Sequence, residues 1–289
     1  MTSESDLAII RAAYAKQVMA AADTRNERVE AAFAATRRED YLGPGPWPII
    51  RFGGRYVDSP SADPVYLYTD DLIGILPERH LNNGQPSLHA HLMSSLNIQP
   101  GEHAVHVGAG VGYFSALLAH LVGPAGRVTA IEFEPELALR AATNMAHLTQ
   151  VRVVQGDGAT VPFDPADVIY VNAGVTRPAD TWLDRLRDGG RLLLMLTTEC
   201  GDSSLDPGMM RRHGAVFVIT RDGDGFKARW VSPVAVYRCQ SLREAASEQA
   251  LDVAFAKDDG CGVTRLYRSD DIAEARCWLK APGWCLAYD

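Results

Sequence analysis

Five short apolar runs in the middle of the chain constrain its fold more than any other feature. Residues 103–107, 128–132, 151–155, 168–172 and 191–196 are rich in aliphatic residues, and helical stretches separate most of them. FSALLAHLVG, for example, puts Phe114, Leu117, Leu118 and Leu121 on one helical face. Such alternation predicts βαβ units, and hence a doubly wound α/β fold whose mostly parallel strands are covered on both faces. Two later runs, AVFVIT at 215–220 and ARWVSPVAVY at 228–237, are joined only by RDGDGFK. That link is too short for a helical crossover, so an antiparallel hairpin is expected there, at the sheet edge.

The flanks read differently. Residues 5–36 predict two helices, with Leu7, Ile10, Tyr14 and Val18 on one face, Val29 and Phe33 on another, and Thr24 and Glu27 at capping-box spacing between them. From 41 to 83 the chain is rich in Gly, Pro, Asp and Asn (LGPGPWP, RFGGRY, LNNG), which favours loops and short strands. Pro86 suits the first turn of a helix carrying Leu88, Leu92 and Leu96. The last 49 residues, from Ser241, read as helix, short strand, a helix starting near Ser269, and short strand. Three segments follow: N-terminal helices and loops over 1–85, the alternating α/β domain over 86–240, and a small α/β extension over 241–289. Trp278, Leu279, Trp284 and Leu286 give the extension enough apolar surface to require a packing partner.

Composition removes several function classes. With 36 acidic against 28 basic residues and a net charge of -8, the surface is not built to neutralise phosphates, so nucleic acid is not the expected partner. No apolar run approaches the roughly 20 residues that cross a bilayer, and acids precede the first apolar residues, so no membrane partner is expected and a soluble, cytoplasmic protein is. The five cysteines (Cys200, Cys239, Cys261, Cys277, Cys285) are odd in number, widely spaced and without a CxxC pair. They indicate neither a disulfide framework nor zinc and are assigned to packing, and the eight histidines, His89 and His91 included, lack metal-ligand spacing.

The first strand ends in AVHVGAGVGYF, residues 104–114. In a doubly wound sheet the ligand lies beyond the carboxyl ends of the strands, at such a turn. Gly108 and Gly110 permit a tight turn and close backbone approach, and Gly112 begins the helix. A dinucleotide fingerprint, GxGxxG, would need its third glycine at 113, which is Tyr113, so the spacing disfavours NAD. The second strand ends in Glu132, whose carboxylate can accept both hydroxyls of a ribose. The third leads into QGDGA, which sets Asp157 and Gly158 beside a nucleoside base, and the fourth ends in Asn172, where substrate-contacting groups of such folds lie.

GxGxG after the first strand, an acid ending the second, GDG after the third and LRDGGRLLL entering the fifth resemble the Rossmann-like S-adenosylmethionine-dependent methyltransferases. More narrowly, AAFAATRREDYL, the block GQPSLHAHLMSSLNIQPGEHAVHVGAGVGYFSALLAHLVGPAGRV and the late hairpin ending in VSPVAVY resemble the protein-L-isoaspartate O-methyltransferase family. The resemblance runs from about Val29 to Arg238. It implies a seven-stranded sheet, S-adenosylmethionine held by His106, Gly108, Gly110, Gly112, Glu132, Asp157, Gly158 and Asn172, and methyl transfer to a carboxylate of a protein or peptide. It also sets residues 1–85 on the substrate side, with Gln85 and Asn172 as the candidate catalytic residues and no metal. An acceptor of another kind, such as a small molecule or modified peptide, and a non-catalytic nucleoside-binding module are the alternative readings.

Two positions depart from the family pattern. His106 stands where members carry Glu, and Asn83-Gly84-Gln85-Pro86 stands where they carry Ser or Thr before Gln-Pro or Ala-Pro. Gly84 is therefore expected to leave extra space for a bulkier acceptor, with Asn83 or Ser87 as near replacements for the hydroxyl. Weak turnover of isoaspartyl peptides follows, and serine at 84 is expected to raise it if the backbone tolerates a side chain. His106 is expected to be uncharged beside a sulfonium, so cofactor affinity should fall as the free imidazole is protonated. A carboxylate acceptor is already ionised at neutral pH and needs no general base; for other acceptors His89, His106 and Asp157 are the candidate bases.

Overall fold

A computed structural model describes residues 1–51, 54–198 and 213–289; Phe52 and Gly53 of the loop-rich stretch, and Cys200, lie outside the described residues. In chain order the elements are α1 (Glu4–Ala21), α2 (Glu27–Ala35), α3 (Glu39–Leu42), β1 (Pro48–Arg51), β2 (Arg55–Asp58), β3 (Gly74–Leu76), β4 (Leu81–Asn82), α4 (Pro86–Leu96), β5 (His103–Val107), α5 (Tyr113–Val122), β6 (Arg127–Glu132), α6 (Pro135–Asn144), β7 (Val151–Gln155), β8 (Ala166–Val171), α7 (Asp180–Arg185), β9 (Leu186–Thr197), β10 (Gly214–Asp222), β11 (Gly225–Pro233), α8 (Ala245–Lys257), β12 (Arg265–Tyr267), β13 (Cys277–Ala281) and β14 (Trp284–Ala287). They fall into two compact units. The first comprises Met1–Glu102 and Ala109–Gly156, the second His103–Gly108 and Asp157–Asp289.

In the first unit α1 buries Leu7, Tyr14 and Val18, the face its periodicity predicts. The capping of α2 differs from expectation. Asn26, not Thr24, is its N-cap, and its Oδ1 accepts from the backbone N–H of Arg28 and Val29. Asn is as good a cap as any residue and stands directly before the first helical turn, so it takes the N–H groups that Thr24 is too far back to reach. The Gly/Pro-rich stretch forms two small antiparallel pairs, β1 with β2 and β3 with β4. Beneath them Arg38 is 0% exposed. Its guanidinium donates to the carbonyls of Leu67 and Thr69 and lies 5.7 Å from the centroids of both the Tyr14 and Tyr113 rings. Cation–π contact and carbonyl acceptors together stabilise a buried cation that, among the described residues, has no carboxylate bonded to it. β6 and β7 pair in parallel around α6, as a βαβ unit requires.

The second unit holds an eight-stranded sheet in the order β13-β14-β12-β11-β10-β9-β8-β5. Only β5 with β8 and β8 with β9 are parallel; the other five neighbouring pairs are antiparallel. A mostly parallel sheet of seven strands is thus corrected to a mixed sheet that already has eight strands in this unit. The hairpin prediction holds in kind, since β10 and β11 pair antiparallel around Gly223 and Asp224. Its place at the edge does not hold. β11 pairs onward with β12, because the final residues supply three further strands. The helix expected near Ser269 is replaced by a single 3-10 turn at Glu274–Arg276 leading into β13. There Trp278, Leu279, Trp284 and Leu286 are at most 3% exposed, with the Trp278 ring 5.5 Å from Phe217 and 5.3 Å from Phe255. Burial on both sides of a short strand outweighs local helix preference. Cys277 and Cys285 are free thiols in contact across this last hairpin, packed with Ala287, Tyr267 and Ile272.

Candidate cofactor and acceptor site

Within the first unit the glycine turn is fastened by Glu132. Gly110 adopts φ +56° and donates its N–H to Glu132 Oε2 at 2.6 Å, while the N–H of Glu134 meets Oε1 at 3.0 Å. The carboxylate is 6% exposed, and desolvation pushes its pKa above the ordinary carboxylate value against the pull of those backbone N–H groups. The backbone N–H of Phe133 also favours the ionised form. A carboxylate has about four lone-pair directions, so accepting capacity remains. A Cβ on Gly110 would have only Ile75 Cδ1 within 4 Å, at 3.9 Å, so the backbone here faces open space. Gly112, at φ +97°, caps α5, and a side chain there would strike Met145 at 2.8 Å.

On the same unit α4 starts without a side-chain cap from its own N-cap residue, Gln85. Asp70 replaces it. Its carboxylate accepts from Ser87 N–H at 2.7 Å, Ser87 Oγ at 2.6 Å and Gln85 Nε2 at 3.0 Å. An acid at a helix N-terminus satisfies an orphan N–H and meets the positive end of the dipole. Gln85 is exposed and held by its amide. Sequence reasoning did not single out Asp70; the available signal was a helix opening on Gln-Pro, which leaves an N–H for some other acid to accept.

Gly84 does not open the space expected of it. It sits at φ +78°, and a Cβ there would lie 2.3 Å from His89 Nε2 and 3.1 Å from Phe114 Cε2. The His89 ring is 1% exposed and stacked on Phe114, with centroids 3.5 Å apart. His89 therefore fills the volume that a side chain at 84 would need. Nor are the side-chain oxygens of the two expected substitutes for a hydroxyl at liberty. Ser87 Oγ is bonded to Asp70, and Asn83 Oδ1 accepts from Ile73 N–H at 3.2 Å in a buried position.

Within the second unit His106 lies in β5 opposite Tyr170 of β8, 0% exposed, with its ring edge-on to the tyrosine at 5.4 Å. Burial pushes its pKa down to about 3. The imidazole is thus neutral without any ligand, so the expected loss of cofactor affinity on protonating it has no titration near neutral pH to draw on. Gly108, at φ +80°, closes the strand against Asn172, whose N–H donates to Val107 O at 2.8 Å; a Cβ on Gly108 would meet Asn172 O at 2.9 Å. Gly158 is required for a similar reason, since a Cβ there would lie 2.3 Å from Val107 Cγ1. Its carbonyl accepts from Trp182 Nε1 at 2.7 Å. Asp157 Oδ1 accepts from Ala159 N–H at 2.9 Å and from Ser241 Oγ at 2.7 Å. The unit thus brings His106, Gly108, Asn172, Asp157 and Gly158 to the ends of β5 and β8 and the turns beyond, and the first unit brings Gly110, Gly112 and Glu132 to one turn and carries Gln85 at the N-cap of α4. Among the described residues no group of three or more His, Cys, Asp or Glu side chains could hold a metal, and no helix is long and apolar enough to cross a membrane.

Comparison with known proteins agrees with these motifs. Curated relatives named protein-L-isoaspartate O-methyltransferase include one from Aeropyrum pernix, 41% identical over 118 residues (39% of this chain, 45% of the relative), and one from Thermotoga maritima, 33% identical over 121 residues (40% and 38%). A third, from Ignicoccus hospitalis, is 31% identical over 154 residues (52% and 68%). The chain spans less than half the length of the first two. Among solved structures, a protein-L-isoaspartate O-methyltransferase superposes with a TM-score of 0.61 at 23% identity, over 78% of this chain and 65% of that one. One described as a putative protein-L-isoaspartate O-methyltransferase from Plasmodium falciparum, in complex with S-adenosyl-L-homocysteine, gives 0.60 at 15% identity over 80% and 98%. These likenesses establish the Rossmann-like methyltransferase fold. The sequence model of the protein-L-isoaspartate(D-aspartate) O-methyltransferase family matches residues 54–206, more than half of the chain, and the protein belongs to that family.

Proposed function

We propose that the protein is an S-adenosylmethionine-dependent O-methyltransferase of the cytoplasm that esterifies an isoaspartyl-type carboxylate of a protein or peptide. The observation that carries this reading is Glu132: a nearly buried carboxylate at the end of β6, fastened to the glycine turn, with accepting capacity left. Two vicinal hydroxyls of a ribose suit that acceptor pair, and the open space beside Gly110 allows a ligand to approach the backbone. The residues present therefore fit the cofactor. When bound, it supplies a methyl group already activated by a sulfonium.

What remains for the chain is binding, orientation and exclusion of water. In this reading Glu132 holds the ribose, the backbone at Gly108, Gly110 and Gly112 lets the nucleoside approach, and Asp157 with Gly158 meets the base. His106, neutral through burial, adds no charge that would repel a sulfonium or ammonium. Gln85, steadied by Asp70, and Asn172 are assigned to orienting the acceptor. An ionised carboxylate acceptor asks no side chain to remove a proton.

A second reading keeps the cofactor and changes the acceptor to a small molecule or a modified peptide. It is favoured by one observation, the filled site at Gly84, where no side-chain hydroxyl can stand. Calorimetric titration with S-adenosylhomocysteine tests the cofactor assignment: binding is expected, with Glu132→Ala weakening it by about 1.5–3 kcal/mol, roughly tenfold to a hundredfold. Because the ionised carboxylate is the acceptor, affinity should decline on acidification, beginning above the usual carboxylate range since burial raises the Glu132 pKa. No binding of this ligand, or binding of NAD instead, would overturn the reading; methyl transfer to an isoaspartyl peptide, set beside other carboxylates, decides the acceptor.

A further inference from the structure

The residues that follow the late hairpin return to the turn that carries Asp157. Backbone bonds tie this strap down: Gly174 N–H to Tyr237 O and Cys239 N–H to Gly174 O, both at 2.8 Å, and Thr176 N–H to Leu242 O at 2.9 Å. Glu244 N–H then meets Thr176 Oγ1 at 2.8 Å, and Arg243 donates to Thr197 O, also at 2.8 Å. Between these anchors Ser241 donates its hydroxyl to Asp157 Oδ1 at 2.7 Å, across 84 residues of sequence. The position of the serine is set by bonds other than its own. Together with Ala159 N–H the hydroxyl occupies Oδ1, and among the described residues Oδ2 takes no hydrogen bond.

We propose that Ser241 is a positioning residue for the cofactor site: by engaging Oδ1 it fixes the Asp157 carboxylate so that Oδ2 is presented to an exocyclic amine of the bound base. The ligand class is a 6-aminopurine nucleoside, and the inference rests on the methyltransferase reading above. Ser241 lies beyond the stretch that matches the family, so the segment from 237 onward contributes to the site rather than only lengthening the sheet. A carboxylate held in one rotamer loses less freedom on binding and discriminates better between an amine that donates and an oxo group that cannot.

The test is calorimetric titration of the full chain and its Ser241→Ala and Ser241→Thr variants with two ligands, S-adenosylhomocysteine and its 6-oxo counterpart S-inosylhomocysteine. Wild type is expected to prefer the adenosyl ligand by tenfold or more. Alanine should weaken the adenosyl ligand by roughly three- to tenfold and leave the inosyl ligand unchanged, collapsing the preference, and threonine should restore it. A merely structural role for Ser241 would weaken both ligands alike. That result, or an unchanged preference in the alanine variant, overturns the proposal while the methyltransferase reading stands. Wild type that binds neither ligand refutes the methyltransferase reading and the proposal with it.

Discussion

Replacing Gly84 by serine places a Cβ on a backbone held at φ +78°, where L side chains are strained by about 1–3 kcal/mol. The same atom would lie 2.3 Å from His89 Nε2 and 3.1 Å from Phe114 Cε2. The imidazole cannot move aside freely, because Phe114 is stacked against it with centroids 3.5 Å apart, and overpacking of this kind costs a further 1–3 kcal/mol or so. The sum, about 2–6 kcal/mol, is a large part of the roughly 5–15 kcal/mol by which domains are stable. Thermal and denaturant unfolding should register it as a fall in Tm of roughly 5–20 °C. Isoaspartyl turnover, measured below that temperature, should not exceed wild type. Adding His89→Ala to the serine variant removes the clash but not the backbone strain. In a double-mutant cycle the two substitutions should couple favourably by about 1–3 kcal/mol. A serine variant that melts within a degree or two of wild type would refute the steric argument; one that also methylates an isoaspartyl peptide faster would reinstate the missing hydroxyl as the limiting feature.

Two further outcomes are expected. Because the pKa of folded His106 is pushed down to about 3, the folded state refuses a proton that the unfolded chain takes up below about 6.5. Its contribution to stability is whole above that value and is lost as pH falls toward 3, about 2 kcal/mol by pH 5, so urea unfolding of His106→Gln should be less acid-sensitive than that of wild type; parallel pH profiles would contradict this. Truncation after residue 240 strips Trp278 from Phe217 and removes the strand paired with β11, and the shortened chain should aggregate and melt well below the full one. Equal solubility and heat resistance would show that residues 241–289 carry no packing role.

Much of this architecture was legible because backbone periodicity reports burial. β5 and β7 begin and end where the apolar runs do, and β10 and β11 pair as a short polar link demands. What periodicity cannot report is which strand lies beyond the last one, so the hairpin read as an edge proved to be interior. The stretch from Ser269 has the composition of a helix, but Trp278 and Leu279 find their burial only as a strand. At the site, Gly108, Gly110 and Gly112 were legible because positive φ is a demand that glycine meets at little cost. Asp70, His89 and Ser241 were assigned no such roles, since each acts on a residue whose identity at a distance gives no pattern: a cap for Ser87, an obstacle at Gly84, a bond to Asp157.

Gly158 bears on how substitutions can accumulate in such chains. Its absent side chain leaves room for Val107 of β5, which approaches to 2.3 Å of where a Cβ would be, and its carbonyl is fixed by Trp182. Alanine can therefore enter at 158 only in company with a slimmer residue at 107. Aligned relatives should show the two positions drifting as a pair, with glycine beside valine or isoleucine, and larger residues at 158 only beside alanine or glycine. The second glycine of the GDG motif then records the girth of a neighbouring strand residue, and its replacement in a relative need not signal the loss of a ligand.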